Sequence, residues 1–126
     1  MDHKNLDVWQ AGIQLAEEIY KVSSHFPKEE LYGLTSQLRR SAISIPSNIA
    51  EGAARSGDRE FIQFLYIALG SLAELETQLI IANRIGYCAS LTELNDRMLS
   101  IKQMLLGLLK HLKRKPRNDK KAVNRE

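Results

Sequence analysis

Residues 58–86 read DREFIQFLYIALGSLAELETQLIIANRIG, and this stretch decides the fold. Phe61, Leu65, Ala68, Leu72, Leu75, Leu79 and Ala82 follow one another at alternating steps of four and three, a sustained heptad seam. Beside the seam run two partly apolar lines, Ile62–Tyr66–Leu69–Ala73–Ile80 and Phe64–Ile67–Ile81–Ile85. The spacing predicts a helix of roughly 28 residues and about 42 Å, capped by Asp58 and stopped at a left-handed Gly86. A helix apolar on more than its narrow seam must be buried on more than one side.

Three more helical stretches surround it. From Asp7, read as a cap, to about Ser24, Val8, Leu15, Ile19 and Val22 share a stripe, with Trp9, Ile13, Ala16 and Tyr20 beside it. Pro27 lies just past its end, and Glu17 with Lys21 makes an i,i+4 pair. After Gly33, with Thr35 or Ser36 as cap, Leu38, Ala42, Ile45, Ile49 and Ala53 repeat at helical spacing. The stripe keeps its phase across Pro46, which predicts one kinked helix, with Ser41, Ser44 and Ser47 placed to satisfy loosened carbonyls. The last stretch opens with a capping box, Ser90 and Glu93, and carries Leu91, Leu94, Met98, Ile101, Leu105, Leu108 and Leu112 on one seam.

Short connections make neighbouring helices antiparallel, so the expected fold is all-α, an up-down-up-down four-helix bundle. Residues 1–113 would form the bundle and residues 114–126 a flexible basic tail. Apolar surface left over on the third and fourth helices predicts a homo-oligomer. Few Gly and Pro and few aromatics argue against a sandwich or barrel. The chain has no continuous apolar run of about 18 residues and no signal-peptide core, so a cytoplasmic location is expected.

The net charge of +3 conceals two segments. From Lys110 onward there are eight basic residues against Asp119 and Glu126, a net +6; the preceding residues carry −3. After Pro116 the tail has one β-branched side chain and no aromatic, which predicts disorder. Such a tail can bind phosphates without base stacking, or simply keep the chain in solution.

Catalytic patterns are missing. None of His3, His25 and His111 follows a glutamate by three, as a di-iron bundle requires, and no phosphate loop or zinc motif is present. The single cysteine, Cys88, excludes an internal disulfide and reads as a partly buried thiol. No enzyme, metal or cofactor is expected.

The segment from Arg39 to Gly52 is more polar than a core helix requires, and Gly70-Ser71 interrupts the apolar third helix. Gly70 suggests a close helix crossing. Arg40, Asn48 and Glu51 could form a polar network with Ser71, Glu74 and Glu76, serving either register and a subunit interface or a ligand.

The run Leu38 to Gly52 (LRRSAISIPSNIAEG), with Glu60 to Leu65 (EFIQFL), Ala68 to Ser71 (ALGS), Glu74-Leu75-Glu76 and Gly86-Tyr87, resembles the signature of the 23S rRNA intervening-sequence protein family. The resemblance covers most of residues 7–112 and leaves out the basic extension. It implies a small bacterial four-helix bundle, a homopentamer and a nucleic-acid connection, and supplies no catalytic residue. A similar fold serves as accessory protein of diversity-generating retroelements, binding reverse transcriptase and RNA. The expectation is therefore a non-enzymatic homopentamer that binds RNA or DNA electrostatically. Arg39, Arg55 and Arg59 on the body and Lys113, Arg114, Lys115, Arg117, Lys120 and Lys121 at the end are the expected contacts. The alternative is a scaffold recruiting a partner enzyme such as a reverse transcriptase.

Overall fold

A computed structural model describes residues 2–114. The basic tail, with Lys115, Arg117, Lys120 and Lys121, and the boundary drawn at residue 114 therefore lie on or outside the edge of the described residues. Four helices are present, α1 (Asp7–Ser23), α2 (Leu34–Ala53), α3 (Asp58–Arg84) and α4 (Thr92–Arg114), with short 3-10 turns at His3–Asn5 and Lys28–Glu30. No strand occurs among the described residues.

The helices pack as a ring, α1 on α2, α2 on α3, α3 on α4, and α4 back on α1. Gly12 meets Pro46 while Ser23 meets Arg39, so α1 and α2 run antiparallel. The late Gly52 meets the early Phe61 and Phe64, and the late Lys113 meets the early Tyr66, which sets α2–α3 and α3–α4 antiparallel as well. This is the expected up-down-up-down bundle.

All seven seam residues of α3 are buried, as are Leu38, Ala42, Ile45, Ile49 and Ala53 of α2. On α1, Val8, Leu15 and Ile19 are buried and Val22 half-buried. On α4 the core takes Leu94, Met98, Ile101, Leu105, Leu109 and Leu112, whereas Leu108 is only partly covered. The expected step of three after Leu105 is a step of four, because 3.6 residues per turn drift against a strict seam. By length and composition α3 would also suit a membrane span; core helices pass the same test, and its seam is packed against α2 and α4 here.

Helix starts differ in detail from the expected caps. Asp7 and Asp58 are the first helical residues behind extended caps at Leu6 and Gly57, where their charge still complements the dipole. At α2 the cap is Gly33, and Glu30 Oε1 accepts from the Leu34 amide at 3.2 Å; Thr35 is buried. At α4, Ser90 Oγ accepts from the Thr92 amide at 3.4 Å, while Glu93 turns away to Arg97 at 3.6 Å. Lys21 pairs with Glu18 at 3.6 Å rather than with the expected Glu17.

Helix α2 runs through Pro46 as one element. Its ring lies against α1, where a Cβ on Gly12 would sit 3.4 Å from Pro46 Cβ and Cδ. The close-crossing glycine is Gly52, not Gly70. A Cβ on Gly52 would lie 2.7 Å from Phe64 Cβ, while one on Gly70 meets nothing within 4 Å. Gly86, at φ +89°, takes the expected left-handed conformation after α3.

At the opposite end from Gly52, two loops are clamped together. Tyr87 OH donates to Glu30 Oε2 at 2.8 Å, and the Phe26 and Tyr87 rings lie 5.4 Å apart. Glu30 thus holds the start of α2 with one oxygen and the α3–α4 connection with the other.

Candidate nucleic-acid interface

Strongly cationic sequence gathers at the C-terminal turns of α4, where Lys110, His111, Lys113 and Arg114 favour the negative end of the helix dipole. Lys110, His111 and Arg114 line a shallow depression with Gly107, of ≈ 390 Å³. The Lys113 ammonium lies 4.8 Å from the centre of the Tyr66 ring and also donates to the Tyr66 hydroxyl. That contact holds the last turn of α4 on α3 and keeps the charge at the surface.

The three body arginines have separate settings. Arg39 is a structural tether, its Nε donating to Ser23 Oγ at 2.9 Å while the guanidinium lies over the Tyr20 ring at 4.5 Å. Arg55 pairs with Glu51 at 3.0 Å, stands 4.0 Å from Glu60, and covers the Phe64 ring at 4.9 Å. Arg59 is exposed in the first turn of α3. Arg55 and Arg59 share the end of the bundle where α4 terminates; Arg39 lies toward the other end.

The expected polar network divides into separate parts. Its centre is Ser44, a residue whose spacing suggested carbonyl repair at Pro46. The Ser44 and Ser71 hydroxyls are 2.7 Å apart, and Asn48 Nδ2 donates to Ser44 Oγ at 2.9 Å and to the Ser44 carbonyl at 2.8 Å. Arg40 and Glu74 border a groove of ≈ 400 Å³ beside this centre, with Gln37, Ser41 and Gln78. The Gln78 side chain is buried and its Oε1 has no hydrogen-bond partner. Glu51 belongs to Arg55, and Glu76 faces the α3–α4 side, near Leu99 and Lys102.

Sequence reasoning missed a larger groove between α1 and α2, of ≈ 590 Å³. Tyr20, Leu31, Tyr32 and Ile43 supply its apolar surface, and Arg39 and Arg40 are the charged residues in its lining. Tyr32 is 93% exposed. The available signal was the Leu31-Tyr32 pair beside Gly33, large apolar residues that no helical stripe absorbs.

Among the described residues, no three His, Cys, Asp or Glu side chains gather where a metal could bind. Burial pushes the Cys88 thiol above its ordinary pKa, away from the thiolate a nucleophile needs. The hydrogen bond to Glu30 does the same to the Tyr87 phenol, aided by burial and the nearby Glu30 and Glu29 charges.

Residues 4–107 match the family model described as 23S rRNA-intervening sequence protein. A solved crystal structure from Bacteroides thetaiotaomicron VPI-5482, a protein of unknown function from the S23 ribosomal protein family, is similar in fold and sequence. It superposes with a TM-score of 0.76 at 25% identity, over 87% of this chain and 99% of that one. No curated protein matches.

Proposed function

Because the chain belongs to the 23S rRNA-intervening sequence protein family, we propose that it is a non-enzymatic, homo-oligomeric bundle that binds nucleic acid, RNA foremost, through its basic end. The observation that carries this reading is charge segregation. The segment from Lys110 onward holds a net +6, and the rest of the chain −3. The cations proposed to meet phosphates are Lys113 and Arg114 on α4 and, outside the described residues, Lys115, Arg117, Lys120 and Lys121. Arg59 and Arg55 stand at the same end of the bundle.

Assembly follows from the apolar surface one subunit leaves uncovered. Tyr66, Ile80, Leu99 and Leu106 of α3 and α4 are each between 42% and 54% exposed. Covering them with further copies removes that surface from water, and the family resemblance favours five copies. Five basic ends on one particle raise avidity without any new contact. The setting we propose is the bacterial cytoplasm.

A salt titration tests the binding. With about six phosphates neutralised per bound unit, log K falls against log salt with a slope of roughly −4 to −5. Deleting residues 114–126 should reduce affinity and slope together; a flat salt response, or a deletion without effect, overturns the reading. Light scattering should return five times the 14.3 kDa chain mass, and a monomer at micromolar concentration overturns the assembly. The same apolar α3–α4 face supports a second reading, a scaffold for a partner enzyme such as a reverse transcriptase. A protein partner retained after nuclease treatment would favour it.

A further inference from the structure

The groove between α1 and α2 has chemistry that the basic end lacks. Tyr32 stands in the turn before α2 and is 93% exposed, so its ring offers both faces to a ligand. A phenol left this open contributes almost nothing to the core, and its cost in exposed apolar area has no structural return. Across the groove, Tyr20 already carries a planar cation, the Arg39 guanidinium at 4.5 Å. That guanidinium is fixed by Ser23 Oγ at 2.9 Å, so its plane is set before any ligand arrives. Arg40 lies beside it, exposed, and no carboxylate lines this groove; Glu74 borders the neighbouring groove that Arg40 also lines. Leu31 and Ile43, 47% and 43% exposed, supply apolar surface between these groups.

We infer that this groove binds an unpaired nucleobase together with its adjoining phosphate, as part of a single strand. Resting on the nucleic-acid reading above, the inference adds a second site of a different kind. The basic end attracts phosphates, whereas the groove takes bases by stacking on Tyr32 while Arg40 meets the backbone. Charge complementarity selects an anion, and the open ring with the pre-set guanidinium plane selects a flat one. A nucleotide combines both properties. The ≈ 590 Å³ of the groove gives room for a base, its sugar and a phosphate. A duplex keeps its bases stacked inside and cannot use Tyr32, so the site discriminates for single strands.

Binding by the full chain to a labelled oligoadenylate of about ten nucleotides tests the inference, with an abasic oligomer of equal length as comparison. Tyr32→Ala should weaken oligoadenylate binding by roughly 5- to 160-fold, the range for one stacked base, and leave abasic binding unchanged. Tyr32→Trp should restore it. Arg40→Gln should reduce the salt slope by about 0.7, the value for one phosphate on a single strand. Because Tyr32 is almost wholly exposed, its variants should keep the far-ultraviolet spectrum of the parent. If Tyr32→Ala binds oligoadenylate as the parent does, the inference is overturned while salt-dependent binding by the basic end still stands. Adenosine monophosphate should quench the added fluorescence of Tyr32→Trp even with residues 114–126 deleted, so the groove is read independently of the tail. Quenching by an apolar or proline-rich peptide, with none by the mononucleotide, would overturn the inference in favour of a protein partner.

Discussion

Gly52 on α2 stands so close to Phe64 on α3 that a Cβ at position 52 would come within 2.7 Å of Phe64 Cβ, and within 2.9 Å of Phe61 Cδ1. Phe64 Cβ is fixed to its backbone and cannot swing away, so the missing side chain at Gly52 sets how near the two helices lie. This contact anchors the register of the pair.

Gly52→Ala should therefore destabilise the bundle, although alanine is the better helix former. Overpacking at about 1–3 kcal/mol outweighs a helix-propensity gain of at most about 1 kcal/mol. Urea unfolding should show a lower midpoint with little change in slope.

Gly70 provides the opposite case. A methyl group added there would meet nothing within 4 Å on α3, so Gly70→Ala should stabilise the subunit by about 0.5–1 kcal/mol. The same urea titration measures it, and a loss of stability would mean the face is closely covered.

Ser44 and Ser71 join α2 to α3 by a hydroxyl contact of 2.7 Å, with Ser71 8% exposed. Ser71→Ala should cost about 0.5–1.5 kcal/mol. In a double-mutant cycle with Ser44→Ala, the two losses should fall short of additive, because each variant removes the same bond.

Tyr87 makes the stability sensitive to alkaline pH. Its hydrogen bond to Glu30, followed by burial and the Glu30 and Glu29 charges, holds its pKa above the ordinary value of 10.0. A phenol whose pKa is raised by folding contributes its full stabilisation below about pH 10, and loses it as pH rises through the folded value. Melting temperature should therefore fall more steeply above pH 10 in the parent than in Tyr87→Phe, which removes the ionisable hydroxyl.

Hydrophobic spacing made the bundle legible, since Phe61 through Ala82 and Leu38 through Ala53 occupy the core in the phase their steps of three and four imply. Which residues meet across helices was not legible, because that depends on register set between α2 and α3 rather than on spacing within either. Gly52 and Gly70 look alike along the chain, yet only Gly52 faces a neighbour at contact distance. Arg39 and Arg55 read as free cations, but Tyr20 and Ser23 hold the first, and Glu51 and Phe64 the second. The expected network separated for the same reason: Ser71 meets Ser44, whereas Glu76 points to the α4 side of α3. Tyr32 escaped notice because an aromatic in a turn has no periodicity to betray it.

The antiparallel ring leaves the end of α4 beside the start of α3, while the Tyr20–Tyr32 groove opens near the start of α2. From Arg40, in the groove, to Ala53 at its far end, helix α2 rises about 20 Å at about 1.5 Å per residue, and this sets the spacing of the two stations. Under the two binding proposals, a single subunit would then act as a ruler for its ligand. Fragments too short to bridge that distance should then occupy one station or the other, and longer ones should gain a tethering advantage of about 10²–10⁴-fold. A plot of affinity against oligonucleotide length should accordingly rise in a step rather than a ramp.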